Sequence, residues 1–308
     1  MHIGVIGSGA LGLYYGAMLQ RAGHRVSFLL RSDYDAISSQ GLQVHSINGD
    51  FELSRVEGYQ SADRIGHVDL ILIGLKTFAN QHLVELVQPL AGPDTAILTL
   101  QNGLGNEELL AETFPAEKIL GGVAFLCSNR GEPGHVHHLG EGRIRLGEFC
   151  GGLSPRSQQL AEIFSRAGVP CEAVDDLRKI RWEKLIWNIP FNGLTALTDK
   201  NVTELLSHPP TRALVRDIMA EVVAAANAQQ LTSPINGGPF IERMIQMTEP
   251  MLGYSPSMMV DRRKNRPLEL EAIYAIPLKM AAKAGVGMPR TEMLYSLLAL
   301  GEKDPDRK

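Results

Sequence analysis

Short apolar runs alternate with amphipathic stretches through the first half of the chain. That alternation is the mark of a parallel sheet covered by helices. The runs predict strands at 2–6, 25–30, 69–74, 96–100, 119–126 and 143–147. Asp69-Leu70-Ile71-Leu72-Ile73-Gly74 is apolar between its ends, as a strand buried on both faces would be. Amphipathic spacing predicts helices at 10–22, 79–90 and 104–113, while 129–149, with five glycines and three histidines, reads as a hairpin or loop with β character. From about residue 175 the pattern changes to long helical periods. Asp175 or Asp176 can cap a helix carrying Ile180, Trp182, Leu185 and Ile186, and further helices are expected at 203–207, 211–230, 237–250 and 267–285. The stretch 211–231 has few polar interruptions and predicts a central buried helix. The expected architecture is α/β, with a parallel-sheet domain over 1–174 and an all-helical domain over 175–308. The polar residues 302–308 read as a loose tail.

At 308 residues the chain is long enough for two domains, and its formal net charge is −4. A mildly acidic chain lacks the broad basic footprint that nucleic acid requires, and its one basic cluster, Arg262-Arg263-Lys264-Asn265-Arg266, reads as a solvated loop or helix face. Cys127, Cys150 and Cys171 are odd in number and widely spaced, so neither a disulfide framework nor a zinc site is indicated. His135, His137 and His138 have no acidic or cysteine partner at a metal-ligand spacing and read as ordinary loop histidines. The N-terminus begins a strand at once, and no apolar run reaches membrane-spanning length. A cytoplasmic protein with no membrane or nucleic-acid partner is expected.

Chemistry enters with Gly7-Ser8-Gly9-Ala10-Leu11-Gly12, directly behind the strand Ile3-Gly4-Val5-Ile6. Gly7 permits a tight turn, Gly9 lets a pyrophosphate approach the backbone, and Gly12 lets the next helix pack closely on the strand. The amides at that helix N-terminus then face an anion. Leu11, Leu13, Met18 and Leu19 continue the helix, and Arg25 to Leu30 supplies a second strand, which favours a Rossmann-type dinucleotide site over a glycine-rich turn in some other α/β protein. An acid after the second strand would suit the ribose diol of NAD, whereas an arginine suits a 2′-phosphate. Arg31 stands there, with Ser32 as a further donor, which favours NADP(H). Asp33, two places on, remains able to serve a ribose diol.

Lys184, Asn188 and Asn192 recur at spacings of four and so align on one side of a helix, as a pocket wall or as a surface stripe. Trp182, Ile186, Trp187 and Phe191 argue for burial, and Pro190 removes the bond to the Ile186 carbonyl. Lys76 and Asn102 follow predicted strands, where open parallel sheets place ligands, although Asn102-Gly103 is also a common turn pair. Glu269 heads a helix and can be a binding acid or a first-turn cap.

In combination these residues resemble the ketopantoate reductase family over essentially the whole chain. The resemblance rests on Gly7-x-Gly9-x-x-Gly12, Arg31, Leu75-Lys76-Thr77, Gln101-Asn102-Gly103, Lys184-x-x-x-Asn188-x-x-x-Asn192 and Pro256-Ser257-Met258-x-x-Asp261, in the family's order and approximate spacing. It implies a Rossmann domain, a helical domain and a cleft between them, and NADPH-dependent reduction of 2-dehydropantoate to (R)-pantoate, a step toward pantothenate and coenzyme A. It further implies Lys184 as general acid, Asn188 and Asn192 as substrate-positioning amides, Ser257 as a donor to the substrate carboxylate, and Glu269 as the acid orienting substrate and lysine. Lys76 and Asn102 correspond to cofactor-side and cleft-lining residues. Desolvation lowers a lysine toward the useful range for proton transfer near neutrality, while Glu269 opposes that shift.

The chain departs from the family around Tyr254-Ser255, at Leu268-Glu269-Leu270-Glu271 and at Tyr274-Ala275-Ile276-Pro277. Losing polar groups there bears on which 2-oxo acid is accepted more than on cofactor or reaction type. A reductase of another 2-oxo acid therefore stands beside the leading expectation. An NADP(H)-binding redox sensor would need Gly7, Gly9, Gly12 and Arg31 but not Lys184 or Glu269. A homodimer stays open.

Overall fold

Along the third long apolar run, side chains alternate between two cores: Leu70 and Leu72 join one apolar cluster, Ile71 and Ile73 another. Period-two burial on both sides is what a central strand between helical layers requires. The computed structural model describes residues 1–302 and divides into two compact units, Met1–Gln101 with Asn106–Leu177, and Asn102–Gly105 with the chain from Arg178 onward.

The first unit is built on ten strands: β1 (His2–Ile6), β2 (Arg25–Leu29), β3 (Leu42–Ser46), β4 (Phe51–Leu53), β5 (Glu57–Tyr59), β6 (Val68–Ile73), β7 (Ala91–Thr99), β8 (Ile119–Arg130), β9 (His135–Glu148) and β10 (Cys171–Val174). Their order is β4-β3-β9-β8-β7-β6-β1-β2-β5, with β10 also on β9. From β5 through β8 every pairing is parallel; β8 and β9 form a long antiparallel hairpin. Its helices are α1 (Ala10–Arg21), α2 (Tyr34–Gln40), α3 (Leu83–Val87), α4 (Asn106–Ala111) and α5 (Pro155–Arg166). The second unit holds α6 (Leu177–Thr198), whose first residue lies in the first unit, then α7 (Val202–Ser207), α8 (Pro209–Asn227), α9 (Gly237–Thr248), α10 (Ser257–Arg263), α11 (Ile276–Lys283) and α12 (Pro289–Leu300). Among the described residues no helix is long and apolar enough to cross a membrane.

Several expectations are corrected. The helix expected at 79–90 is a 3-10 turn, the five-residue α3 and a second 3-10 turn, Gln88–Leu90, with proline near its start. The one expected at 104–113 shortens to α4, because Gly103 and Gly105 hold φ of +80° and +89°. Residues 129–149 take the hairpin form of the two expected, and only the placing of His135, His137 and His138 in a loop is corrected, since they belong to β9. The histidines are engaged there: His138 is buried, bonds Ser46 Oγ at 2.9 Å and stacks on Tyr14, while His45 stacks on His135 and His137. The stretch at 211–231 is amphipathic, burying Val215, Ile218, Met219 and Val222 while Asp217 and Ala220 stay exposed. The segment expected at 267–285 begins with a π-helical turn, Glu271–Ala275, before α11. Of the expected tail, Glu302 is tied down, accepting from Arg262 Nη1 and from the Leu268 amide; 303–308 lie outside the described residues. The basic run is largely engaged internally, since Arg262 donates to the last carbonyls of α12 and Arg263 pairs with Asp199.

Candidate active site

The glycine turn after β1 has the three geometries that a dinucleotide cradle needs. Gly7 has φ of +92°, and a Cβ there would stand 2.3 Å from the Leu75 amide nitrogen. A Cβ on Gly12 would meet the Gly7 carbonyl oxygen at 2.3 Å, so α1 can approach the turn only without a side chain. Gly9 is different: a Cβ there would meet nothing within 4 Å, leaving open space over the backbone. Gly9 is the N-cap of α1, no side chain caps that end, and its first turn carries no acid. Uncapped amides and the positive end of the helix dipole favour an anion at this end. Ala10 and Leu11 open the helix, and Ser8 Oγ donates to the Leu29 carbonyl at 2.8 Å, tying the turn to the end of β2.

Beyond β2, Arg31 and Ser32 are exposed and Asp33 is buried. The Asp33 carboxylate accepts from Arg130 Nη2 at 2.5 Å and from the Gly134 amide at 3.2 Å. It is thus held within its own unit, which corrects the expectation that it stays available to a ribose diol. Arg130 is a residue that sequence reasoning missed. Lys76 precedes the 3-10 turn Thr77–His82, at the carboxyl end of β6. A Cβ on Gly74 would touch Leu11 and the Gly7 carbonyl, so the loop leading to Lys76 starts against the glycine turn. An amide chain was also missed: Gln101 Nε2 donates to Asn80 Oδ1 at 2.7 Å, and Asn80 Nδ2 to Asn106 Oδ1 at 2.9 Å. Gln101 and Asn106 are buried, so the chain fixes the carboxyl ends of β6 and β7 relative to α4.

In the second unit, α6 runs unbroken through Pro190 and carries Lys184, half-buried, with Asn188 and Asn192 each 3% exposed. A solvated stripe is thereby excluded. The Asn188 Nδ2 group is buried with no acceptor among the described residues. A buried donor left unpaired costs about 1–3 kcal/mol, so a ligand or a water that accepts from it would recover that cost. Next to the proline, Tyr274 is fully buried and donates its hydroxyl to the Ile189 carbonyl at 2.8 Å. A Cβ on Gly193 would stand 2.5 Å from that hydroxyl, so the contact requires glycine. Tyr274 is therefore a brace for α6.

Asn102–Gly105 packs with the second unit: the Leu104 amide donates to the Ala272 carbonyl at 2.9 Å, and a Cβ on Gly103 would collide with that same oxygen. Asn102 thus begins a turn pinned to the π-helical segment just after Glu269. Glu269 is buried, and its carbonyl accepts from Ile273, so its backbone starts that helical segment. Ser257 is the exposed first residue of α10. Tyr254 lies against Trp187 with ring centres 6.3 Å apart, and Leu268 is buried in the helical core.

The sequence profile described as ketopantoate reductase PanE/ApbA matches residues 3–151, and its C-terminal counterpart matches 176–302. A 2-dehydropantoate 2-reductase from Nostoc sp. is 42% identical over 96% of this chain and 93% of its own. The crystal structure of a 2-dehydropantoate 2-reductase from Geobacter metallireducens superposes with a TM-score of 0.96 at 56% identity, covering 97% of this chain and 99% of that one. The ternary structure of a D-mandelate dehydrogenase with NADH and anilino(oxo)acetate superposes with a TM-score of 0.90 at 25% identity, covering 98% of each chain.

Proposed function

Because the chain belongs to the ketopantoate reductase family of oxidoreductases, we propose that it catalyses NADPH-dependent reduction of 2-dehydropantoate to (R)-pantoate, toward pantothenate and coenzyme A. The observation that carries this reading is α6, where Lys184 and two buried amides share one helix face and the Asn188 amide nitrogen has no acceptor among the described residues. The residues present fit a nicotinamide dinucleotide: Gly9 leaves space over uncapped amides, and Arg31 is exposed where a ribose phosphate needs a cation. When bound, the nicotinamide supplies the hydride for the C2 carbonyl. Gly7 to Gly12 and Lys76 hold the cofactor, and Arg31 selects the 2′-phosphate. Lys184 donates the proton to the oxygen on which charge accumulates. Asn188 and Asn192 orient the substrate, Ser257 donates to its carboxylate, and Glu269 orients both substrate and lysine. Asn102 lines the same site and contributes a donor and an acceptor.

A second reading, another 2-oxo acid as substrate, is favoured by the departure at Tyr254, whereas Leu268 and Tyr274 are taken up in the helical core. The similarity to a D-mandelate dehydrogenase, seen with NADH and an aryl-substituted oxoacetate, points the same way. One experiment separates them: NADPH consumption with a panel of 2-oxo acids, using wild type and Lys184→Ala. Turnover of 2-dehydropantoate, lost in the variant, is expected. Strong preference for another acid refutes the substrate, and NADPH binding without turnover of any acid would favour a sensor. Arg31→Ala should weaken NADPH far more than NADH. Cytoplasmic action with three free thiols and a homodimer complete the reading. Met293, Leu297 and Leu300 form an exposed apolar stripe on α12, and light scattering on Met293→Lys tests it as the contact.

A further inference from the structure

The loop after β2 presents a conflict. Arg31 suits a 2′-phosphate, yet Asp33, two residues later, is the residue type that accepts bonds from an unphosphorylated ribose and repels a phosphate. The structure resolves it from a distant segment. Arg130 ends β8, 99 residues beyond Arg31, and its Nη2 binds both Asp33 Oδ2 at 2.5 Å and Ser32 Oγ at 3.1 Å. The Gly134 amide takes the other Asp33 oxygen, so the hairpin tip covers the carboxylate from two sides.

That tip is brought to the β2–α2 loop by sheet topology. β9 pairs in parallel with β3 from Gln43↔His135 onward, and β3 follows directly on α2. The Gln43 amide donates to the Gly134 carbonyl, completing the tie. Asp33 ends 3% exposed at its side chain, whereas Arg130 keeps 36%. Its Nη1 and Nε have no acceptor among the described residues. Because Ser32 Oγ accepts from Arg130, its own proton is left to donate outward.

We propose that Arg130 is a second specificity-determining residue for the cofactor. It neutralises and sequesters Asp33, and it offers the remaining side of its fork, beside Arg31 and Ser32, to the ribose 2′-phosphate. This rests on the NADP(H) reading above. A guanidinium holding a carboxylate with one nitrogen keeps donors for a phosphate on its other edge.

The test is fluorescence titration of NADPH and NADH with wild type, Arg31→Ala, Arg130→Ala, Arg130→Lys and the double variant Arg130→Ala/Asp33→Asn, with the Tm of each unliganded protein alongside. Loss of a charge-assisted bond predicts that Arg130→Ala weakens NADPH by about 10- to 100-fold. NADH should change less than about threefold or tighten, because Asp33 is released. Arg130→Lys keeps the pairing charge and loses the fork, so it should fall between. Asn at position 33 should restore at least about threefold of the NADPH affinity in the Arg130→Ala background with NADH changing less, whereas repair of a merely structural tie would restore both cofactors alike. The proposal is overturned if Arg130→Ala lowers both affinities equally, or if the second substitution restores nothing. Arg31→Ala then locates the failure: selective loss of NADPH in that variant leaves the NADP(H) reading standing without Arg130. A wild type that does not discriminate NADPH from NADH overturns both.

Discussion

Two glycines of one turn should fail in opposite ways when each becomes alanine. At Gly12 the new methyl would lie 2.3 Å from the Gly7 carbonyl oxygen and 3.2 Å from Val5 Cγ1, so α1 must lift by roughly 1 Å. Overpacking of that kind costs about 1–3 kcal/mol, against which alanine returns at most about 1 kcal/mol of helix propensity. The net loss of about 1–2 kcal/mol should lower the Tm of the cofactor-free protein by roughly 2–8 °C. At Gly9 the methyl meets nothing, and the backbone at φ −78°, ψ −166° suits any residue. Lower entropy of the unfolded chain, about 0.4–1 kcal/mol, offsets the weaker N-cap, so Tm should move by less than about 2 °C. The methyl instead fills the space over the α1 amides, and loss of charge-assisted bonds there should raise the NADPH Kd by about 10- to 100-fold. Scanning fluorimetry without cofactor and fluorescence titration with it read the two effects separately. If Gly9→Ala binds NADPH as wild type does, or if both variants lose equal Tm, the cradle is misassigned.

Tyr274→Phe removes the hydroxyl that holds the Ile189 carbonyl and should cost about 1–2 kcal/mol in urea unfolding, with kcat falling more than cofactor affinity; an unchanged midpoint would show that the hydroxyl braces nothing. Asn188→Leu replaces an unpaired buried amide with a similar apolar volume, so the ligand-free protein should hold or gain stability while kcat/KM falls steeply; a loss of more than about 2 kcal/mol would mean that the amide is satisfied in the folded state. Burial pushes the Cys171 thiol from its usual 9.0 up to about 12. The folded state therefore holds that proton more tightly than the unfolded chain, stability falls as pH rises from about 9 toward 12, and Cys171→Ala should flatten the decline. Iodoacetamide at pH 8 should modify exposed Cys150 well before Cys171.

The central strands and α1 were legible because β1, β2 and β6 are apolar runs with burial on both faces, which sequence shows directly. The edge strands were not. β4 and β5 are three residues each and contain Glu52 and Glu57, so their strand character comes from neighbours and not from their own pattern. α5 carried a readable signal, Ser154-Pro155 ahead of Leu160, Ile163 and Phe164, and Ser154 does cap it. In the site, the spacing of Lys184, Asn188 and Asn192 was readable because a single helix carries all three. Arg130 was not, since its meeting with Asp33 depends on a parallel pairing between β3 and β9 that no local window contains. Tyr274 looked like a change in pocket chemistry because sequence gives a residue's type without its partner, and its partner is a backbone carbonyl.

The polar groups singled out in the two units sort into two sets, and the division has consequences for specificity. Asp33, Tyr274, Gln101 and Asn106 are buried with protein partners, so each restrains a segment and none needs a ligand to complete it. Among the described residues the α1 amides have no side-chain cap, the Asn188 Nδ2 group has no acceptor, and the outer edge of Arg130 has no carboxylate. Evolution for stability alone would have filled such positions, as an N-cap serine or a buried leucine would do. On the proposed reading, bound molecules supply the missing partners. On that logic the hydroxyl of Tyr274 is not an available contact for a 2-oxo acid, because donation to the Ile189 carbonyl uses its one proton. Of the departures, Tyr254 keeps an apolar ring contact with Trp187 on the helix that carries Lys184, so on the proposed reading selectivity among acids is expected to rest on apolar fit there. A discrimination built on apolar fit is worth only about 1–3 kcal/mol per methylene, so related branched 2-oxo acids should be reduced within about 200-fold of the preferred one.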